Sequence, residues 1–339
     1  MSLRQLAVAG LTELVDRSGF RRAVEFQARH RIAILCYHSI VDGPLPKRAA
    51  RAGLHLHQSA FVEQMEYLAR HFEVMPLASA LTGLSDGSVF AARRTRPAVV
   101  ITFDDGYANN LHVAGPVLDR LGLPATVFLV TRLLGDPHPF WWDEVNLVLG
   151  EAGRVRGPDS TAGPLDLTTP DALERTSGRV RDALMTMPLP GRRPLLDLIG
   201  EVASAKPSEA IRDLLRPLRR EELADFPPRI TFANHTATHR VLDLIDPDAV
   251  SWEVSTAAND LDQFAPTRFV PHILCYPRGA SGVAVQNVAT EAGCRWGLGL
   301  ATGGKRTVGL ESQTINLPRQ FIAPRFRLAR FKAILAGLP

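Results

Sequence analysis

An α/β chain with a largely parallel sheet is the fold class that the sequence predicts, and three observations carry it. Short, apolar, β-rich runs recur along the chain. Segments with the period of a helix lie between them. Four of the runs deliver polar or turn residues just past their carboxyl ends, which in barrels of parallel strands is where sites are built.

The elements follow in chain order. Residues 1–29 form an N-terminal segment in which a short apolar stretch is interrupted by Glu13 and Asp16; a docked amphipathic helix is expected. The first strand, Ile32–Cys36, runs into His38. Phe61, Met65, Leu68 and Phe72 recur at spacings of four, three and four, which is one helix face. The second strand, Ala98–Phe103, ends in Asp104, Asp105 and Gly106. Val117, Leu118 and Leu121 mark another helix before a third strand, Ala125–Val130. The alternation then breaks. Residues 150–175 carry Gly, Pro, Ser and Thr without period, and a charged, helical stretch follows to about Glu222, so 143–225 reads as a mainly helical insertion. Strand character returns at Arg229–Phe232, followed by His235 and His239, and again at Ile273–Tyr276, followed by Pro277, Arg278 and Gly279. One catalytic domain is expected over 30–325, with 326–339 as a tail.

The 339 residues, 45% of them hydrophobic and 22% charged, are ample for a sizeable core and ordinary for a globular protein. The net charge of +4 comes from scattered Lys and Arg without the aromatic interleaving of a nucleic-acid surface, so no nucleic-acid partner is expected. Cys36, Cys275 and Cys294 are odd in number and show no CxxC spacing, which excludes a disulfide framework or a zinc ribbon. No run is long enough to span a bilayer. The N-terminal segment lacks the apolar core and small-residue cleavage site of a secretory signal. A cytoplasmic location is therefore expected, with peripheral contact at the inner face of the membrane left open by the basic charge and the amphipathic segment.

The chemistry centres on "ITFDDG" and "NHTATH". Two adjacent carboxylates disfavour each other's ionisation unless a partner compensates. Alone, Asp104 and Asp105 before a glycine are a turn, and a histidine pair at i and i+4 is more often a surface or core pair than a ligand set. Together they make two imidazoles and a carboxylate, a common metal triad that leaves positions open for water. On a helical turn His235 and His239 project from one face. One aspartate is then a ligand, and the other is free to act as a base.

The motifs "TFDDG" at 102–106, "NHTATH" at 234–239 and "YPRG" at 276–279 resemble those of the polysaccharide deacetylases, the NodB-homology carbohydrate esterases. "FWWDEV" at 140–145 and "LPR" at 317–319 resemble secondary features of members from surface-polysaccharide (exopolysaccharide) gene sets. The resemblance implies a distorted (β/α) barrel and a divalent metal, usually zinc, with Co, Mn, Ni or Fe also accommodated by such ligands. It puts the metal on Asp105, His235 and His239, the general base on Asp104, and an oxyanion-binding backbone N–H on Arg278. Two features depart from the family pattern. Cys275 stands where many members carry an arginine that steadies the base, so other groups must orient Asp104. No histidine follows His272, so the late catalytic acid is missing. "CYHSI" at 36–40 resembles the N-terminal YH motif of the subgroup that includes the poly-N-acetylglucosamine deacetylases, which carries the acid role to His38; a histidine hydrogen-bonded at a strand end is the plainer alternative.

The implied reaction is removal of N-acetyl groups from an amino-sugar glycan or its lipid- or nucleotide-linked precursor, releasing acetate. Hydrolysis of an O-acetyl ester or a non-sugar amide, and a non-catalytic carbohydrate-binding relative, are the competing readings. Tyr107, Trp141, Trp142, Tyr276 and Arg319 are expected at the mouth as substrate contacts, because aromatic faces stack on sugar rings; burial of at least one tryptophan is the competing expectation.

Overall fold

The computed structural model describes residues 31–45, 53–88, 96–151, 170–203, 208–301, 307–309, 312 and 314–335. The helical segment expected over 1–29 lies outside them. Ten strands are described: β1 (Ile32–Tyr37), β2 (Ser39–Val41), β3 (His55–His57), β4 (Glu73–Val74), β5 (Ala98–Phe103), β6 (Ala125–Leu129), β7 (Ile230–Asn234), β8 (Phe269–Cys275), β9 (Trp296–Leu300) and β10 (Leu317–Phe321). The main sheet runs β1-β10-β9-β8-β7-β6-β5-β4, and β1 also pairs with β5. Seven parallel strands therefore close into a barrel, with β4 as a spur on β5 and β2–β3 as a separate parallel pair. The expected (β/α) barrel is observed.

Side-chain alternation explains the closure. Successive residues of a strand point to opposite faces. Ile32 and Ile34 of β1, Ala98 and Val100 of β5, Phe128, Ala233, Ile273 and Cys275, Trp296 and Leu298, and Leu317 cluster inside the barrel. Their neighbours Leu35, Tyr37, Val99, Ile101, Phe103, Val127, Leu129 and Phe232 belong to the outer core under the helices. Because both faces are buried, these strands read as continuous apolar runs. Helix α1 (Gln58–His71) lays Phe61, Met65 and Leu68 on that outer core. Helix α2 (Leu77–Ser85) packs Leu77, Ala80 and Leu81 with Ile32 and Ala98, the first residues of their strands, and so closes the amino end. The remaining barrel helices are α3 (Gly115–Arg120), which continues a π-helical turn at Asn110–Ala114, α8 (Pro247–Phe264), α9 (Val283–Glu291) and α10 (Leu328–Leu335).

Between β6 and β7 stand α4 (Trp141–Glu151), α5 (Pro170–Thr186), α6 (Leu189–Ala203) and α7 (Glu209–Leu215), which make up the mainly helical insertion. It begins slightly before the expected residue 143, because Phe140, Trp141 and Trp142 already pack with Val145, Val148 and Leu184, in a core shared with Tyr107, Val130 and Leu133. The expected C-terminal tail is corrected: 328–335 is a helix whose Phe331 and Leu335 join the main core. The strands β9 and β10 were not expected from the apolar pattern, since "WGLGL" and "LPRQF" carry Gly, Pro and Arg. Among the described residues no helix is long and apolar enough to cross a membrane.

Candidate active site

The carboxyl rim of the barrel gathers residues from five strands. In the β1–β5 register Tyr37 lies beside Phe103, so the residues that follow, His38 and Asp104, emerge side by side. The Asp104 N–H donates to the Tyr37 carbonyl at 2.9 Å. Asp105 then turns away with φ 74°, and Gly106 follows at φ 87°. A Cβ on Gly106 would meet the Leu129 side chain at 2.6 Å, so the turn requires glycine.

Asp105 faces His235 and His239. Its Oδ1 lies 3.4 Å from His235 Nε2 and 3.5 Å from His239 Nε2, and the two rings are 5.0 Å apart. These contacts are longer than ordinary hydrogen bonds, and Oδ1 is buried with no partner among the described residues. The spacing suits a shared cation: N and O ligands about 2.1 Å from a tetrahedral ion stand about 3.4 Å apart. His235 Nδ1–H donates to the Cys275 carbonyl at 2.9 Å, which leaves the Nε2 lone pair facing Asp105. Burial, reinforced by His235, holds His239 well below the usual imidazole value and therefore neutral, as a ligand must be. Burial pulls His235 the same way, but the Asp104 and Asp105 carboxylates outweigh it and raise it in the absence of a cation. The donor set thus fits the divalent metal that the motifs imply.

The histidines do not share a helical turn, which corrects the expectation. Residues 235–240 form a bent loop after β7, with Thr236 at φ 69° and His239 at φ 60°. The Asn234 side chain accepts from Thr236 N at 2.7 Å, and Thr236 Oγ1 accepts from His239 N at 3.1 Å. Left-handed backbone on non-glycine residues is costly and clusters at functional sites; here it falls on Asp105 and His239 themselves.

Asp104 is buried and grips Arg319. The guanidinium donates twice, Nη1 to Oδ1 at 2.6 Å and Nη2 to Oδ2 at 2.7 Å. Cys36 Sγ adds a contact to Oδ2 at 3.3 Å and Cys275 Sγ another at 3.6 Å; burial keeps both thiols protonated. Burial opposes ionisation of Asp104, but Arg319 overcomes it and holds the carboxyl well below the usual range. His38 Nε2 is 4.0 Å from Asp104 Oδ2, and its ring sits edge-on to Phe321. His38 keeps slight exposure, unlike the acids. Burial lowers its basicity, partly offset by Asp105 and Asp104. Arg278 lies in the turn Pro277–Gly279 after β8, with left-handed backbone at φ 58° and its side chain exposed.

The structure thus brings His38, Asp104, Asp105, His235 and His239 together, and it buries the residues expected at the mouth as substrate contacts. Tyr107, Tyr276 and Arg319 are at most 1% exposed. Tyr107 donates to Asp143 Oδ2 at 2.7 Å and accepts from Trp142 Nε1 at 2.8 Å; Tyr276 donates to the Ile315 carbonyl at 2.8 Å. Trp141 and Trp142 are also buried, because they fill the insertion core, where Trp142 stacks on Phe140 and leans on His239 at 4.5 Å. Arg319 is drawn from solvent by Asp104 and occupies the role that Cys275 leaves vacant. The missed signal was that vacancy itself, which called for another arginine on an inward strand position. Asp143, which no spacing along the chain singles out, accepts from Tyr107 and pairs with buried His55 Nε2 at 2.9 Å.

A parallel (β/α) barrel with an acid pair and two histidines on its carboxyl rim defines the class, and comparison with known proteins agrees with it. Residues 91–153 match the family model described as polysaccharide deacetylase. Over 112 residues the chain is 30% identical to YxkH, a polysaccharide-deacetylase-type protein of Bacillus subtilis (strain 168). That stretch is 32% of this chain and spans about a third (35%) of the relative. The fold resembles the deacetylase PplD of Streptococcus pyogenes, solved in complex with acetate (TM-score 0.55, 17% identity, 90% of this chain and 98% of that one). It also resembles IcaB of Ammonifex degensii (0.55, 13%, 91% and 97%) and a de-N-acetylase of Aggregatibacter actinomycetemcomitans (0.52, 14%, 90% and 99%). The matched segment carries Asp104 and Asp105, and over it the chain is similar to polysaccharide deacetylases.

Proposed function

We propose that this protein is a metal-dependent hydrolase that removes N-acetyl groups from an amino-sugar glycan or a glycan precursor. The observation that carries the reading is the buried Asp105–His235–His239 cluster beside an arginine-held Asp104 and a partly open His38. Asp105, His235 and His239 would hold the metal, with zinc the first candidate. The metal supplies Lewis acidity toward a water and an acetamide carbonyl.

The chain's own groups divide the remaining work. Asp104, ionised and fixed in orientation by Arg319, takes the proton of the attacking water. The backbone N–H of Arg278 donates to the oxygen on which negative charge develops. His38 hands a proton to the departing amine nitrogen. The products are acetate and a free amino sugar. The substrate in this reading is an N-acetylated glycan or its lipid- or nucleotide-linked precursor.

The test compares acetate release from N-acetylglucosamine oligomers and from an O-acetylated counterpart, for the wild type and for Asp104→Asn. Release from the amide, reduced on the order of 10²–10⁴-fold in Asp104→Asn with metal content unchanged, is expected. Near wild-type turnover by Asp104→Asn would remove the base assignment, and preference for the ester would change the substrate class.

A further inference from the structure

A cavity of about 450 Å³ opens between the loop after β6 and helices α4 and α6. Its volume lies within the range of small-molecule sites, about 300–1,000 Å³. Arg132, Arg192, Arg193, His138 and Trp141 all line it, and most of these charges are already matched. Arg193 is held by both oxygens of Glu144, at 2.9 and 2.7 Å, and by Asp197 at 2.8 Å. Arg132 pairs with Asp260 at 3.0 Å, and His138 with Asp136 at 2.9 Å.

Arg192 is the exception. It is 2% exposed, and among the described residues it donates only to main-chain carbonyls, those of Met187 at 3.0 Å and Thr238 at 2.5 Å. Its Nη2 is buried with no partner among the described residues. Glu253, the acid that acts on it most, is already bonded to the N–H and the hydroxyl of Thr238. The Trp141 indole N–H, on the same cavity, is likewise buried and without a partner among the described residues. A buried guanidinium whose nearest acid is bonded elsewhere is expensive, and so is an unsatisfied buried donor. One cavity holding both points to a ligand that supplies negative charge and acceptor oxygens together. Guanidinium forks match the oxygens of carboxylate and phosphate.

We infer that this cavity is an anion subsite, which takes a carboxylate or phosphate carried by the glycan. Its place in substrate recognition rests on the deacetylase reading. The cavity wall is tied to the loop of the paired histidines: Arg192 donates to the Thr238 carbonyl, and Arg132 N to the Ala237 carbonyl at 2.9 Å. The guanidinium that would hold an acidic group is thus anchored one residue along the chain from His239. The preferred substrate is then an acidic glycan, bearing a uronic acid or a phosphate, and not a neutral amino-sugar polymer.

Titration calorimetry on the zinc-loaded full chain tests this with glucuronate, inorganic phosphate and, as the neutral control, N-acetylglucosamine. One anion per chain is expected to bind more tightly than the neutral sugar, and the stronger of the two anions identifies the source of the charge. Arg192→Gln should weaken that binding at least tenfold. Trp141→Phe, which removes the N–H and keeps most of the ring, should weaken it several-fold, and it decides the matter if Arg192→Gln fails to fold. Anion binding that survives both substitutions unchanged belongs to the metal centre and overturns the subsite, as does no anion binding at all. Acetate release from neutral oligomers reads the deacetylase assignment separately. Substitution-sensitive anion binding without acetate release would sustain the subsite while that assignment fell.

Discussion

Arg319 and Asp104 carry the sharpest residue-level consequence. A bidentate guanidinium fixes the carboxylate plane as well as its charge, and lysine cannot reproduce the fork. Arg319→Lys is expected to lower kcat about tenfold or more, with KM and metal content near wild type, because Asp104 keeps a counter-ion but loses its orientation. Steady-state kinetics beside metal analysis read this, and an unchanged kcat would show that the fork does not position the base. The residues that the rim brings together were legible in the sequence because each follows an apolar run: His38, the Asp104–Asp105 pair, His235 and His239. Arg319 was misplaced, since nothing along the chain distinguishes an arginine drawn into a barrel by a buried carboxylate from one on its mouth. The burial of Tyr107, Trp141, Trp142 and Tyr276 was not legible for a related reason. An aromatic residue after a strand end serves equally as a platform or as packing, and their hydrogen-bond partners are remote in sequence.

At the scale of elements, the insertion is bonded to both halves of the site. Its returning segment pairs with the acid turn, Ala108 N donating to the Arg216 carbonyl at 3.0 Å and Leu218 N to the Gly106 carbonyl at 2.9 Å. Glu222 locks that return by accepting from Arg216 at 2.6 and 2.8 Å, from Arg219 N at 2.7 Å, and by pairing with His112. Partial burial opposes the charge on Glu222, but the Arg216 hydrogen bonds outweigh it and bring its pKa down to about 2. The unfolded value is about 4.3, so acid protonates the unfolded chain first. Stability from this clamp is complete above about pH 5, declines as pH falls and is gone below about 2. Glu222→Gln should therefore cost about 1 kcal/mol at neutral pH, after allowance for solvent screening. Denaturant melts should show that difference shrinking as pH is lowered from 5 toward 3; a constant difference would mean that the charge does not stabilise the return. The insertion was visible in the sequence as a break in alternation, yet its attachment was not, because main-chain hydrogen bonds leave no residue signature.

Across the whole molecule, the barrel and the site are one construction. Inward positions of alternate strands are apolar through the lower layers, and at the rim they give way to Asp104, Cys36, Cys275 and Arg319, so the candidate site is the last layer of the core. The parallel alternation made the fold class readable. Closure was not, because β9 and β10, which complete the ring between β8 and β1, carry residues that favour turns. Metal content by elemental analysis, on protein reloaded with zinc and assayed beside acetate release from N-acetylglucosamine oligomers, tests the proposed chemistry most directly. About one zinc per chain with zinc-dependent acetate release is expected for the wild type, and neither for Asp105→Ala. No zinc in the wild type, or full zinc retention by Asp105→Ala, would contradict the cluster of Asp105, His235 and His239 as the metal centre.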